Sequence, residues 1–139
     1  MGYYYYFHDA DLHIDADRME EAELLMREYK KSIKASDYAS ETDTRPAIVQ
    51  VAESNRWSTS MNHDGGATIN HPYEKIKGDD NTDWLKALAP VIRDGGFVQI
   101  MNDDAYVYRY MFQCGKCYQV SPIWSINASD KEETSIHQS

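Results

Sequence analysis

Gly96-Phe97-Val98-Gln99-Ile100-Met101, Tyr106-Val107-Tyr108-Arg109-Tyr110-Met111-Phe112-Gln113 and Cys114-Gly115-Lys116-Cys117-Tyr118-Gln119-Val120-Ser121-Pro122-Ile123-Trp124 are three β-prone runs. Two short turn signals separate them, Asn102-Asp103-Asp104 and Gly115-Lys116. The pattern predicts an antiparallel three-stranded meander. In the middle run Tyr106, Tyr108, Tyr110 and Phe112 alternate with Val107, Arg109 and Met111. That period gives one aromatic face and one mixed face.

The second turn is flanked by the only two cysteines, Cys114 and Cys117. A loop with Gly115 first suits a type II′ hairpin, because glycine takes positive φ at no steric cost. Cys114 and Cys117 would then face each other, with Cα atoms roughly 5.5 Å apart. Such a pair can form a disulfide, hold a metal or remain free. The disulfide loop would be tiny, so its entropic stabilisation is small. A tetrahedral zinc site would draw half its ligands from this turn. His63 and His71 stand on either side of the turn signal Asp64-Gly65-Gly66 and are the expected remaining ligands. Four protein ligands would make such a Zn²⁺ structural, pinning the 58–71 loop onto the meander. The competing reading is two unliganded thiols and solvent-facing histidines, since a lone C-x-x-C is a weak signal.

A chain of 139 residues can bury one sizeable core. Two cysteines are too few for a disulfide framework. The opening Met-Gly-Tyr-Tyr-Tyr-Tyr-Phe has neither a basic region nor a long apolar run, so no signal peptide is expected. No run of 18 apolar residues is present, so no membrane span is expected. The expected setting is the cytoplasm, where thiols stay reduced.

The net charge is −9, from 23 acidic and 14 basic residues. That balance argues against direct nucleic-acid binding, which needs a surplus of Lys and Arg. It fits a basic protein surface as partner, including one built for nucleic acid. Plain solubility explains the same charge.

The tyrosine-rich residues 3–8 read as a strand, extended to Ile14 through a bend or bulge at Asp9-Ala10-Asp11. Asp15 and Asp17 are candidate N-caps for a helix over 17–35. Ala22, Leu25, Met26, Tyr29 and Ile33 share one face of it. Glu20, Glu21 and Glu23 come early and Arg27, Lys30, Lys31 and Lys34 late, which complements the helix dipole. Residues 36–46 read as an exposed loop. Ala47–Val51 fits a strand or a helix start equally well, and residues 36–75 have no firm expectation. Trp57 is expected to anchor a loop on the core. Thr82 is expected to cap a second helix carrying Trp84, Leu85, Leu88 and Ile92, stopped at Asp94-Gly95-Gly96. The resulting expectation is an α+β domain over 1–126, with the meander and N-terminal strand in one antiparallel sheet and two helices on one face. Residues 127–139 are polar and aperiodic and are expected to form a loose tail.

The opening Met-Gly-Tyr-Tyr-x-x-Phe-His-Asp-Ala-Asp-Leu resembles small proteins of phages and prophages of Gram-positive bacteria. Trp-Leu-Lys-Ala-Leu-Ala-Pro-Val-Ile-Arg-Asp-Gly-Gly-Phe-Val-Gln-Ile and Tyr-Arg-Tyr-Met-Phe-Gln-x-Gly-Lys-Cys-Tyr fit the same pattern. The resemblance covers the first dozen residues and 84–124 and carries no catalytic residue. Members of the group need not have a cysteine at position 114. The resemblance implies an α+β domain of phage origin acting in the host cytoplasm. Some proteins from such loci inhibit host defence, including type II-A anti-CRISPR proteins.

No Ser-His-Asp order, phosphate-cradling loop or HExxH is present, so no enzyme activity is expected. His8-Asp9-Ala10-Asp11 splits across two faces of a strand and makes a poor catalytic cluster. The leading expectation is a binding protein that inhibits a host nucleic-acid enzyme, a Cas9-type nuclease for example, through its basic surface. The acids at the start of the first helix, Asp17, Glu20 and Glu21, are the expected contact. An accessory phage protein that self-associates and a small metal-dependent enzyme are the alternatives.

Overall fold

The computed structural model describes residues 4–33, 44–122 and 136–138. The expected end of the first helix at 34–35, most of the 36–46 loop and residues 123–135 lie outside them. The fold is α+β with an antiparallel sheet. Its strands are β1 (Tyr4–Ile14), β2 (Ser58–Met61), β3 (Ala67–Asn70), β4 (Ile76–Lys77), β5 (Gly96–Asn102), β6 (Val107–Gln113), β7 (Lys116–Pro122) and β8 (Ile136–Gln138). The order across the sheet is β2-β3-β1-β5-β6-β7-β8, with β4 also paired to β1. The helices are α1 (Met19–Ser32), α2 (Ala47–Ser54) and α3 (Asp83–Ala87).

The meander forms as the alternation predicts. Tyr108, Tyr110 and Phe112 are buried, while Val107, Arg109 and Met111 are half-buried on the other face. The N-terminal strand completes the centre of the sheet by pairing with β5. Its register shifts between Phe7 and Asp9. One extra residue in a strand reverses which side chains face the core. Tyr5 and Phe7 therefore pack on the core before the bulge, and Ala10, Leu12 and Ile14 after it. Asp9, Asp11 and His13 are sent to the opposite face.

The apolar positions of all three helices join this sheet face in one cluster. Ala22 and Met26 come from α1, Ile48, Val51 and Ala52 from α2, and Trp84 and Leu85 from α3. Each large apolar side chain buried there contributes about 1.5–3 kcal/mol relative to exposure. Trp57 is buried as expected and packs edge-on against Phe7, with ring centroids 5.1 Å apart, and against Trp84 at 5.7 Å.

Several local expectations differ from what forms. Residues 47–54 are a helix, so the described residues include three α-helices where the sequence suggested two. Neither Asp15 nor Asp17 caps α1; a 3-10 turn over Ala16–Arg18 precedes it, and Asp15 accepts from Arg93 instead. The helix at Thr82 is only five residues long. Pro90 lacks an amide hydrogen and cannot continue an α-helix, so the chain passes through a 3-10 turn, Ala89–Val91. Thr82 hydroxyl donates to Asp80 Oδ1 at 2.7 Å and does not cap α3. Within the tail expected to be loose, Ile136–Gln138 pairs antiparallel with β7.

Candidate functional site

The cysteine turn has a different register from the expected one. Gln113 pairs with Lys116 and Phe112 with Cys117, so the two loop residues are Cys114 and Gly115. Their φ angles are +52° and +78°. Positive φ at both central residues is the type I′ arrangement, which matches the twist of the strands. Glycine thus occupies the second loop position. Cys114 stands exposed in the turn, its N–H donating to Asp94 Oδ1 at 2.8 Å. Cys117 lies on the Phe112 side, half-buried against the core. Burial pushes its thiol up to about 11, with nearby Lys86 opposing the shift. The two thiols therefore do not face each other.

The histidines are no nearer to them. His63 sits within the β2–β3 turn, which the Asn62 N–H closes on the Gly66 carbonyl at 2.8 Å. His71 follows the far end of β3, stacked on Phe7 with ring centroids 6.0 Å apart. A four-residue strand separates them. The β2–β3 and β6–β7 turns are separated by three strand spacings of ~4.8 Å each. Zinc ligands must all reach the ion within about 2.3 Å. Cys114, Cys117, His63 and His71 are not brought together. Among the described residues no group of three or more His, Cys, Asp or Glu is placed to hold a metal ion.

The acids of α1 and of the 3-10 turn before it fall into two kinds. Asp17, Glu20 and Glu21 are all exposed. Glu21 accepts from Arg18 at 2.7 Å. Glu23 accepts from Arg27 at 2.9 Å and from the Ala47 backbone N–H at 2.8 Å, which ties α1 to the start of α2. Asp17 and Glu20 have no hydrogen bond or ion pair among the described residues. They keep their charge available to a partner.

A second constellation lies on the outer face of β1, where the bulge sends Asp9, Asp11 and His13. His13 Nε2 is 2.7 Å from Asp11 Oδ1, and His13 Nδ1 is 3.1 Å from Thr68 Oγ1. A carboxylate only accepts, so Nε2 carries a proton. Thr68 Oγ1 donates to Asn62 Oδ1 at 3.1 Å. The chain of contacts stitches β1 to β3 and the β2–β3 turn. Reading from the sequence set aside the His8–Asp11 cluster as split. The signal it missed was the continuation of the same two-residue period from Asp9 and Asp11 to His13.

The buried polar residues lie elsewhere. Tyr108 and Tyr110 hydroxyls both donate to Asp80 Oδ2, at 2.7 and 3.0 Å. Burial first, then Asp80, holds both phenols well above their usual range. Phenols held protonated in this way donate hydrogen bonds and are poor bases. No helix among the described residues is long and apolar enough to cross a membrane. Comparison with protein-family models, with curated proteins and with solved structures finds no match to this chain.

Proposed function

We propose that this chain is a non-enzymatic binding protein of phage type that inhibits a host nucleic-acid enzyme by occupying its basic surface. A Cas9-type nuclease in the host cytoplasm is the partner class that the resemblance suggests. The observation that carries the reading is the charge: −9 overall, with Asp17 and Glu20 exposed at the start of α1 and free of cations among the described residues. A helix N-terminus already tolerates carboxylates through its dipole. Acids there that pair with nothing add a field that speeds encounter with a basic surface.

The test is direct binding of the purified chain to a purified type II-A Cas9-type nuclease across a salt series. Tight association that weakens steeply with salt, together with loss of DNA cleavage, supports the reading. Absence of binding at low salt removes the electrostatic argument.

A further inference from the structure

We infer that the notch on the open edge of β1, between β3 and β4, receives one arginine side chain of a basic protein partner. This rests on the partner reading above and gives it a second contact surface, away from α1.

The notch exists because two short strands share one edge of β1. β4 pairs with Tyr4 and Tyr5, and β3 pairs with Leu12, His13 and Ile14. Between them, residues 6–11 have no strand neighbour on that edge among the described residues. Backbone carbonyls of an unpaired edge are free to accept hydrogen bonds. The cavity there measures about 250 Å³ and is lined in part by Asp9, Ala10, Asp11, Asn70, His71 and Tyr73. A water molecule in the liquid occupies about 30 Å³. The space therefore suits the end of a side chain and is too small for a folded element.

Its chemistry is that of a cation receptor. No Lys or Arg lines it. Asp9 has no hydrogen bond or ion pair among the described residues, and Asp11 is engaged by His13 through Oδ1. The wall is aromatic. His71 stacks on Phe7, and Tyr73 stands edge-on to His71 with ring centroids 6.1 Å apart. Tyr73 is 96% exposed, so the described residues leave its ring open to a partner. His71 Nδ1 donates to the Pro72 carbonyl at 2.7 Å, which leaves Nε2 as an acceptor in the neutral ring.

Arginine fits this set better than lysine. A guanidinium carries five N–H donors in one plane and stacks on aromatic rings, while an ammonium is a compact point charge. Carboxylates, open carbonyls and a ring acceptor supply the fork with partners. Tyr73 supplies the face on which a cation is attracted.

The test is a heteronuclear NMR titration of the isotope-labelled chain with N-acetyl-arginine amide, and separately with N-acetyl-lysine amide. The expected result is saturable shifts at residues 9–11 and 70–73, stronger for arginine. Asp9→Asn and Tyr73→Ala, both at exposed positions, should each weaken that binding about tenfold, the ratio set by about 1.4 kcal/mol. Shifts scattered over every surface acid, equal responses to the two amides, or no saturation overturn the proposal. The same two variants are then assayed against the nuclease. Unchanged nuclease binding in both refutes the notch and leaves the partner reading standing. Arginine captured at the notch by a chain that binds no basic protein supports the notch and sinks the partner reading.

Discussion

The Tyr108 hydroxyl donates to Asp80 Oδ2 at 2.7 Å and ties the start of β6 to the loop ahead of α3. Tyr110 reaches the same oxygen at 3.0 Å, and Thr82, fully buried, reaches Oδ1 at 2.7 Å. One half-buried carboxylate therefore satisfies three hydroxyls. Removing it orphans buried donors, at about 1–3 kcal/mol for such a group. Asp80→Ala should lower unfolding free energy by about 2–3 kcal/mol in urea titration. Asp80→Asn retains an acceptor and should cost less.

The same contact sets an alkaline limit. Burial and Asp80 raise the Tyr108 and Tyr110 phenols above their ordinary value of 10.0. Cys117 is raised to about 11, chiefly by burial. A raised pKa means the folded state holds its proton more tightly than the unfolded chain. The stability linked to these groups is complete below the unfolded values and is lost as pH climbs past them. Stability should fall steeply above about pH 10, the ordinary tyrosine pKa. Tyr108→Phe should flatten that fall; an unchanged profile by circular dichroism would contradict the linkage.

The two thiols should react at different rates. Cys114 is exposed in the turn, while Cys117 is half-buried and held as thiol. Reaction with a disulfide reagent at pH 8 should show one fast and one slow phase, because only the thiolate attacks. Cys114→Ser should abolish the fast phase. EDTA should leave the melting temperature unchanged, since Cys114, Cys117, His63 and His71 stand apart. A chelator-sensitive melt would contradict that placement.

Gly66 is required by crowding. A Cβ there would run into the Ile14 carbonyl oxygen and approach the Ala16 nitrogen within 3.2 Å. Both are backbone atoms that cannot swing away. Gly66→Ala should cost about 1–3 kcal/mol in unfolding free energy, the range for overpacking. Hydrogen exchange should quicken at Asn62, whose N–H closes this turn on the Gly66 carbonyl.

Charge reversal on α1 separates binding from folding. Glu20→Lys should weaken association with a basic partner while costing only about 1 kcal/mol of stability through the helix dipole, because no hydrogen-bonded or ion-paired partner among the described residues is lost. Glu21→Lys also breaks the exposed contact with Arg18, a loss of at most about 1 kcal/mol. Equal affinity of the wild type and Glu20→Lys at low salt would count against α1 as the contact.

The sequence alone determined the parts governed by local period. Alternation from Tyr106 to Phe112 fixed the strand and both its faces, and the apolar spacing from Ala22 to Met26 fixed the buried side of α1. It also marked the burial of Trp57, and it expected an irregularity in β1 at Asp9-Ala10-Asp11, whereas the register shifts just ahead of that stretch, between Phe7 and Asp9. The tertiary structure decided what depends on register and long-range pairing. Placing Cys114 rather than Gly115 first in the two-residue loop shifts every partner by two, so Cys117 lies opposite Phe112 instead of Cys114, and Cys114 leaves the strand for the exposed turn. The ambiguous 47–51 stretch became a helix whose Ala47 N–H, at its start, donates to Glu23, a residue from another helix. The gathering of Asp9, Asp11, His71 and Tyr73 at one edge required β3 and β4 to meet β1 from distant points in the chain. No local pattern encodes that meeting, because it follows from how the sheet closes around its shared core.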